Sequence, residues 1–145
     1  MELLVMITID GRQCALRTVA VKSVMEIEAI TSVPMAPRHV LGLSTRRSQT
    51  LTVIDCMSAA GLPAQTAPIG KRAAVVSHEG HTYALLVDKI EDVENTLGEV
   101  QPVSAAIGEN WSRLAEGMVE TNQGPALILS IASLVVGPEQ MPRAA

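Results

Sequence analysis

The 145-residue chain contains no phenylalanine, and its only aromatic residues are Tyr83 and Trp111. A core must therefore be built from aliphatic side chains. The supply is adequate, since 48% of the residues are apolar and a domain of this length buries about 70% of its unfolded surface. No apolar run approaches the roughly 18 residues that a membrane-spanning helix needs, so no membrane insertion is expected. The opening run, Met1 to Ile9, lacks a basic lead-in and a cleavage signal and is cut by Asp10; it reads as a first strand and not as a signal peptide. Concentrated positive charge is missing as well. Eleven Lys and Arg against fifteen Asp and Glu give a formal charge of −4. The only basic pairs are Arg46-Arg47 and Lys71-Arg72, which argues against a nucleic-acid partner. Cysteine is scarce: Cys14 and Cys56 lie in strand-like runs and, with no export signal, read as reduced core residues and not as a disulfide.

Signatures of catalysis and cofactor binding are equally thin. His78-Glu79-Gly80-His81 spaces two imidazoles across a hairpin turn without the second ligand pair of a zinc site. Gly70-Lys71-Arg72 lacks the spacing and the hydroxyl residue of a phosphate loop. Asp88, Glu91, Asp92 and Glu94 form an acidic group, but an alternating strand sends Asp88 and Asp92 to one wet face, where they could meet a basic partner. Ser44, Ser48, His39 and Asp55 lie in no strained nucleophile turn. The expectation is a chain that is not an enzyme and binds neither metal nor cofactor.

What the chain has is many short, β-branched apolar runs separated by turn signals. Residues 3–9 form a first strand closed by Asp10-Gly11, a strong hairpin signal, and residues 13–16 a second. Residues 24–27 alternate apolar with polar. Pro34 and Pro37 make residues 33–38 an exposed connection, because proline cannot donate to a ladder. Residues 40–43 and 50–54 are the next strands, joined by the turn at 45–49. Residues 57–60 read as one helical turn ended by Gly61 and Pro63. Residues 64–70 are a loop, the best candidate for a boundary between subdomains. Gly11-Arg12-Gln13-Cys14-Ala15-Leu16 then lines up with Gly80-His81-Thr82-Tyr83-Ala84-Leu85 at an offset of 69, and the same offset brings Val21 to Ile90 and Val24 to Val93. This suggests two similar β-units, although strands after tight turns can also resemble one another by chance. Residues 104–117 form the one longer helical candidate, weakened by Gly108, with Trp111 as its core anchor. Residues 126–131 make a last strand and 131–136 a closing helical turn. From 138 to 145 the chain reads as a flexible tail. The class is all-β, sandwich or barrel.

The run from Cys14 to Asp55 resembles the CheW family, the coupling proteins of bacterial chemotaxis arrays. The family pattern passes from V-x-x-V through an apolar-proline link to G-V-x-N-L-R-G and then V-P-V-[IV]-D-L. Here it reads Val21-Lys22-Ser23-Val24, Val33-Pro34-Met35-Ala36-Pro37, Gly42-Leu43-Ser44-Thr45-Arg46-Arg47-Ser48 and Leu51-Thr52-Val53-Ile54-Asp55. Tyr83 to Val93 and Ala126 to Val136 extend the likeness over nearly the whole chain. The resemblance implies two small five-stranded SH3-like β-barrel subdomains sharing a core, within one domain at 1–137 divided near 64–71. It also implies a cytoplasmic, non-catalytic adaptor, which could sit at membrane-associated receptor arrays. One surface would meet the regulatory domain of the chemotaxis histidine kinase, and a groove between the barrels would receive the tip of a chemoreceptor's helical hairpin.

By position, Arg47 takes the place of the family's arginine and Gly42 that of the glycine before the loop. Val21 falls on a strand position associated with partner contact, and Ile30 and Val33 on the link beside the groove. Departures cluster in the docking loop, where Thr45 replaces asparagine, Arg46 leucine and Ser48 glycine. A serine disfavours positive φ, which predicts a turn of another shape. With Thr45, Arg46 and Ser48 added, the expected partner-binding set is complete. With no ATP-binding half, phosphorylatable histidine domain or receiver in the sequence, the expectation is a free-standing adaptor. An alternative is a diverged module that caps, competes with or regulates such a complex, and a third is a small enzyme or metal protein.

Overall fold

The computed structural model describes residues 2–138. Ten strands run in chain order: β1 (Leu3–Ile9), β2 (Arg12–Arg17), β3 (Val21–Glu26), β4 (Val40–Arg46), β5 (Gln49–Asp55), β6 (Arg72–His78), β7 (His81–Leu86), β8 (Lys89–Asn95), β9 (Ala115–Thr121) and β10 (Gly124–Leu129). Three short helices, α1 (Cys56–Ala59), α2 (Glu109–Leu114) and α3 (Ile131–Val136), complete the set with 3-10 turns at Thr18–Ala20 and Ala105–Ile107. The strands form two mixed five-stranded sheets, ordered β8-β1-β2-β10-β9 and β3-β6-β7-β5-β4. The all-β expectation of two five-stranded SH3-like units holds.

The repeat is structural. Leu3–Ile9 answers to Arg72–His78, and Arg12–Arg17 to His81–Leu86, each 69 residues on. The later elements repeat at a longer step: β4 starts at Val40 and β9 at Ala115, α1 at Cys56 and α3 at Ile131, each 75 residues on. The sheets do not follow the two halves. The first takes β1 and β2 from one half and β8, β9 and β10 from the other; the second does the converse. Strands on both sides of the loop at 64–71 thus interleave in each sheet. The tail expected at 138–145 lies, after Pro138, outside the described residues.

Side-chain alternation explains why these strands read as apolar throughout. Leu4 and Met6 of β1 pack with Ala15, Val119, Ala126 and Ile128 inside the first unit. Their neighbours Val5 and Ile7 face a larger core shared by both sheets, with Leu16, Ile54, Leu85, Leu127 and Leu134. In the second unit Leu51, Val53, Ala73, Val75, Ala84 and Leu86 point inward, while Ile54, Ala74, Val76 and Leu85 face the shared core. A strand with both faces buried shows no polar alternation. Trp111, on α2, closes this core and carries the Arg12 guanidinium 4.9 Å over its ring.

The helical candidate at 104–117 is half right. The 3-10 turn and α2 occupy its first part, but the chain leaves the helix at Leu114 and residues 115–121 form β9. Gly108 starts α2 at φ 100° without a side-chain cap, and from Ala115 alternate residues Gly117, Val119 and Thr121 are buried. Both cysteines are free and buried, as expected. Burial pushes the Cys14 thiol up to about 12 and raises that of Cys56, aided by the Asp55 carboxylate. Both therefore stay as neutral thiols at neutral pH.

Candidate partner-binding surface

β4 lies at one edge of the second sheet and β3 at the other. The link that joins them folds back over β4. Thr31 and Leu43 exchange two backbone hydrogen bonds of 2.8 Å, and the Ser44 hydroxyl donates to the Ala29 carbonyl at 2.8 Å. The crossing is possible because residue 42 has no side chain. A Cβ on Gly42 would lie 2.2 Å from the Thr31 carbonyl oxygen and 2.9 Å from Cγ2 of Ile30. The second half repeats the device: Gln101 bridges Met118, and a Cβ on Gly117 would meet Cγ1 of Val100 at 2.4 Å.

The β4–β5 hairpin projects past this crossing. Arg46 pairs with Gln49, leaving Arg47 and Ser48 as a two-residue turn with φ of 51° and 66°. Positive φ at both central residues is the type I′ geometry that matches strand twist. Ser48 thus takes the positive φ that its side chain was expected to avoid. The two-residue register dictates the turn, and Ser48 tolerates a left-handed conformation that costs about 1–2 kcal/mol without glycine. Ser48→Gly removes that strain and adds back about 0.5–1 kcal/mol of backbone entropy. It is expected to stabilise the chain by about 0.5–1 kcal/mol in urea denaturation; a lowered midpoint would contradict the strain.

Beside the hairpin the two edge strands close on a notch of about 330 Å³, lined by Met25, Glu26, Glu28, Thr45, Arg46 and Arg47. Three of the sequence-derived residues, Thr45, Arg46 and Arg47, therefore share one site, with Ser48 exposed at the turn beside them. Gly42 and Ile30 lie beneath, at the crossing, and Ile30 packs against the interior of the second unit. Val33 sits on the link, 38% exposed; its carbonyl accepts from the Ala36 N–H at 3.3 Å across a Pro34-Met35 turn that holds Met35 at φ 66°. Val21 is elsewhere. It opens β3, pairs with Val76 and packs against the shared core. The sequence reading missed Met25, Glu26 and Glu28. Its available signal was the pattern Glu26-Ile27-Glu28, in which an isoleucine that is fully buried separates two exposed carboxylates.

The turn after β5 is fixed by Asp55. Its fully buried carboxylate accepts from Met57 N–H at 3.1 Å, from the Ser58 hydroxyl at 3.1 Å and from Gln65 N–H at 2.9 Å. It is the N-cap of α1, and Ser130 caps α3 in the same manner in the second half. His39, the residue before β4, is buried; its Nε2 lies 2.7 Å from the Val135 carbonyl, tying the link to the end of α3. Ser44, Ser48, His39 and Asp55 are thus committed to packing, turn and cap roles. His78 faces Glu79 at 3.7 Å, and the acidic Glu91 and Asp92 are exposed on β8, an edge strand. Among the described residues no group of three or more His, Cys, Asp or Glu is placed to hold a metal ion, and no helix is long and apolar enough to cross a membrane.

The model of the CheW-like domain matches residues 3–139. Among solved structures, the chain is similar to the crystal structure of the scaffolding protein TtCheW from Thermoanaerobacter tengcongensis. The two share 20% identity and a TM-score of 0.76, with 90% of this chain and 84% of that chain covered. At that identity the likeness speaks for the fold. No curated protein matches significantly by sequence.

Proposed function

We propose, from the premise that this chain belongs to the CheW-like domain family, that it is a non-catalytic adaptor coupling chemoreceptors to the chemotaxis histidine kinase. The observation that carries the reading is the β4–β5 hairpin. It is set in a domain that matches the family over almost its whole length, and it presents Arg47 in an exposed turn beside an open notch. The regulatory domain of the kinase docks on this hairpin, and the apolar face of the receptor's helical hairpin is laid beside the link that carries Ile30 and Val33. Residues 1–137 work as one domain, since strands from either side of the loop at 64–71 share each sheet. The adaptor acts in the cytoplasm, at receptor arrays.

Arg47→Ala is expected to weaken binding of the kinase regulatory domain or the receptor tip by ~2 kcal/mol, a common cost for an interface arginine, or ~30-fold in Kd. Calorimetric titration against each partner from the same organism checks this, and an unchanged affinity for both would remove Arg47 from the interface. A second reading rests on the altered loop Thr45-Arg46-Arg47-Ser48. In it, the chain is a diverged module that caps, competes with or regulates the complex. Restored kinase control in a strain lacking its coupling protein, together with co-purification of the kinase, would exclude that reading.

A further inference from the structure

Arg46 stands at the end of an inward-facing row. Gly42 and Ser44, on the same face of β4, are both buried. The third member of the row is a half-buried arginine whose side chain lines the notch with Met25 of the second unit's interior. Arg47, Glu26 and Glu28 line it too, yet among the described residues none of these four charged side chains has an ion-pair partner. The fold therefore leaves two guanidinium and two carboxylate groups open in one small concavity.

A partner that docks on the notch face of the β4–β5 hairpin strips water from it. An arginine buried against an apolar surface loses its hydration without compensation, which is strongly unfavourable. A carboxylate in bidentate contact restores those hydrogen bonds. A phosphate dianion fits less well, because Glu26 and Glu28 would repel it. We infer that Arg46 determines partner specificity: the protein surface that docks here presents a carboxylate to Arg46 and Arg47 and a cation to Glu26 and Glu28. This rests on the adaptor reading and adds to it the chemistry of the partner's contact face. An apolar socket in the partner is disfavoured by the same desolvation cost.

The probes are the kinase regulatory domain and the receptor-tip hairpin of the same organism, each titrated at about 50 mM and about 500 mM NaCl, which span strong and weak screening. For the kinase regulatory domain, the partner placed on the hairpin, wild-type affinity is expected to fall ~10-fold or more across that range. Arg46→Leu is expected to bind ~10-fold more weakly at low salt with a flattened salt dependence, and Arg46→Glu ~100-fold more weakly. The leucine variant adds no polar group to the fold, and an undiminished thermal midpoint verifies that it is folded. Arg46→Leu binding as tightly as wild type with the same salt dependence overturns the assignment alone. Wild-type protein binding neither probe overturns the adaptor reading and this assignment with it.

Discussion

Gly42→Ala is expected to cost the fold about 2–6 kcal/mol, summing about 1–3 for overpacking and about 1–3 for a side chain held in a glycine-only backbone region. The new Cβ would lie 2.2 Å from the Thr31 carbonyl oxygen at a φ of 146°. The obstacle is backbone, pinned by the paired 2.8 Å bonds between Thr31 and Leu43, so no rotamer change relieves it. A small domain has only about 5–15 kcal/mol in total, and such a loss brings this chain close to unfolding. Relief by lifting the link would break both bonds and displace Ile30 and Val33 from the docking surface proposed above. Urea denaturation of Gly42→Ala beside Gly11→Ala separates the two contributions. Gly11 also has positive φ, at 77°, but a Cβ there meets nothing within 4 Å. Equal costs at the two positions would show that the crossing is not tight.

The second large effect is at Asp55. Asp55→Ala removes the α1 cap, at about 1 kcal/mol, and strands the buried Ser58 hydroxyl and the Gln65 N–H, at about 1–3 kcal/mol for each group left unsatisfied. The expected loss is about 3–7 kcal/mol, read as a lowered urea midpoint. Ser130→Ala at the matching cap of α3 removes one bond, to Ser133 N–H at 3.1 Å, and should cost about 1 kcal/mol. If the two substitutions cost the same, Asp55 is only a cap and does not organise the loop through Gln65.

Local signals made part of this structure legible in the sequence. Asp10-Gly11 marked a hairpin because two-residue type I′ turns favour that pair. The offset of 69 found the repeat because β1–β2 and β6–β7 keep the same length and turn. The longer step of 75 in the second part of each half broke the alignment there, so β4, β5 and α1 were not matched to β9, β10 and α3. Residues 115–117, the start of β9, read as helix because α2 runs into that strand without an intervening loop. Arg46, Arg47 and Thr45 could be placed in one loop from their adjacency. Glu26 and Glu28 could not be added, because they join the loop only when the two edge strands of the second sheet close on each other. Gly42 stands out in the sequence by its position before the loop, but the reason for it is a contact with Thr31, which no local pattern announces. Ser48 shows the converse: residue preference argued against the turn that strand register imposed.

The proposed bridging role is tested most directly by co-sedimentation of the chemotaxis kinase with receptor-tip hairpins displayed on vesicles, with and without this chain, all from one organism. The kinase is expected to pellet with the vesicles when the wild-type chain is present, and markedly less with Arg47→Ala. A kinase that stays in the supernatant with and without the wild-type chain would contradict the adaptor function.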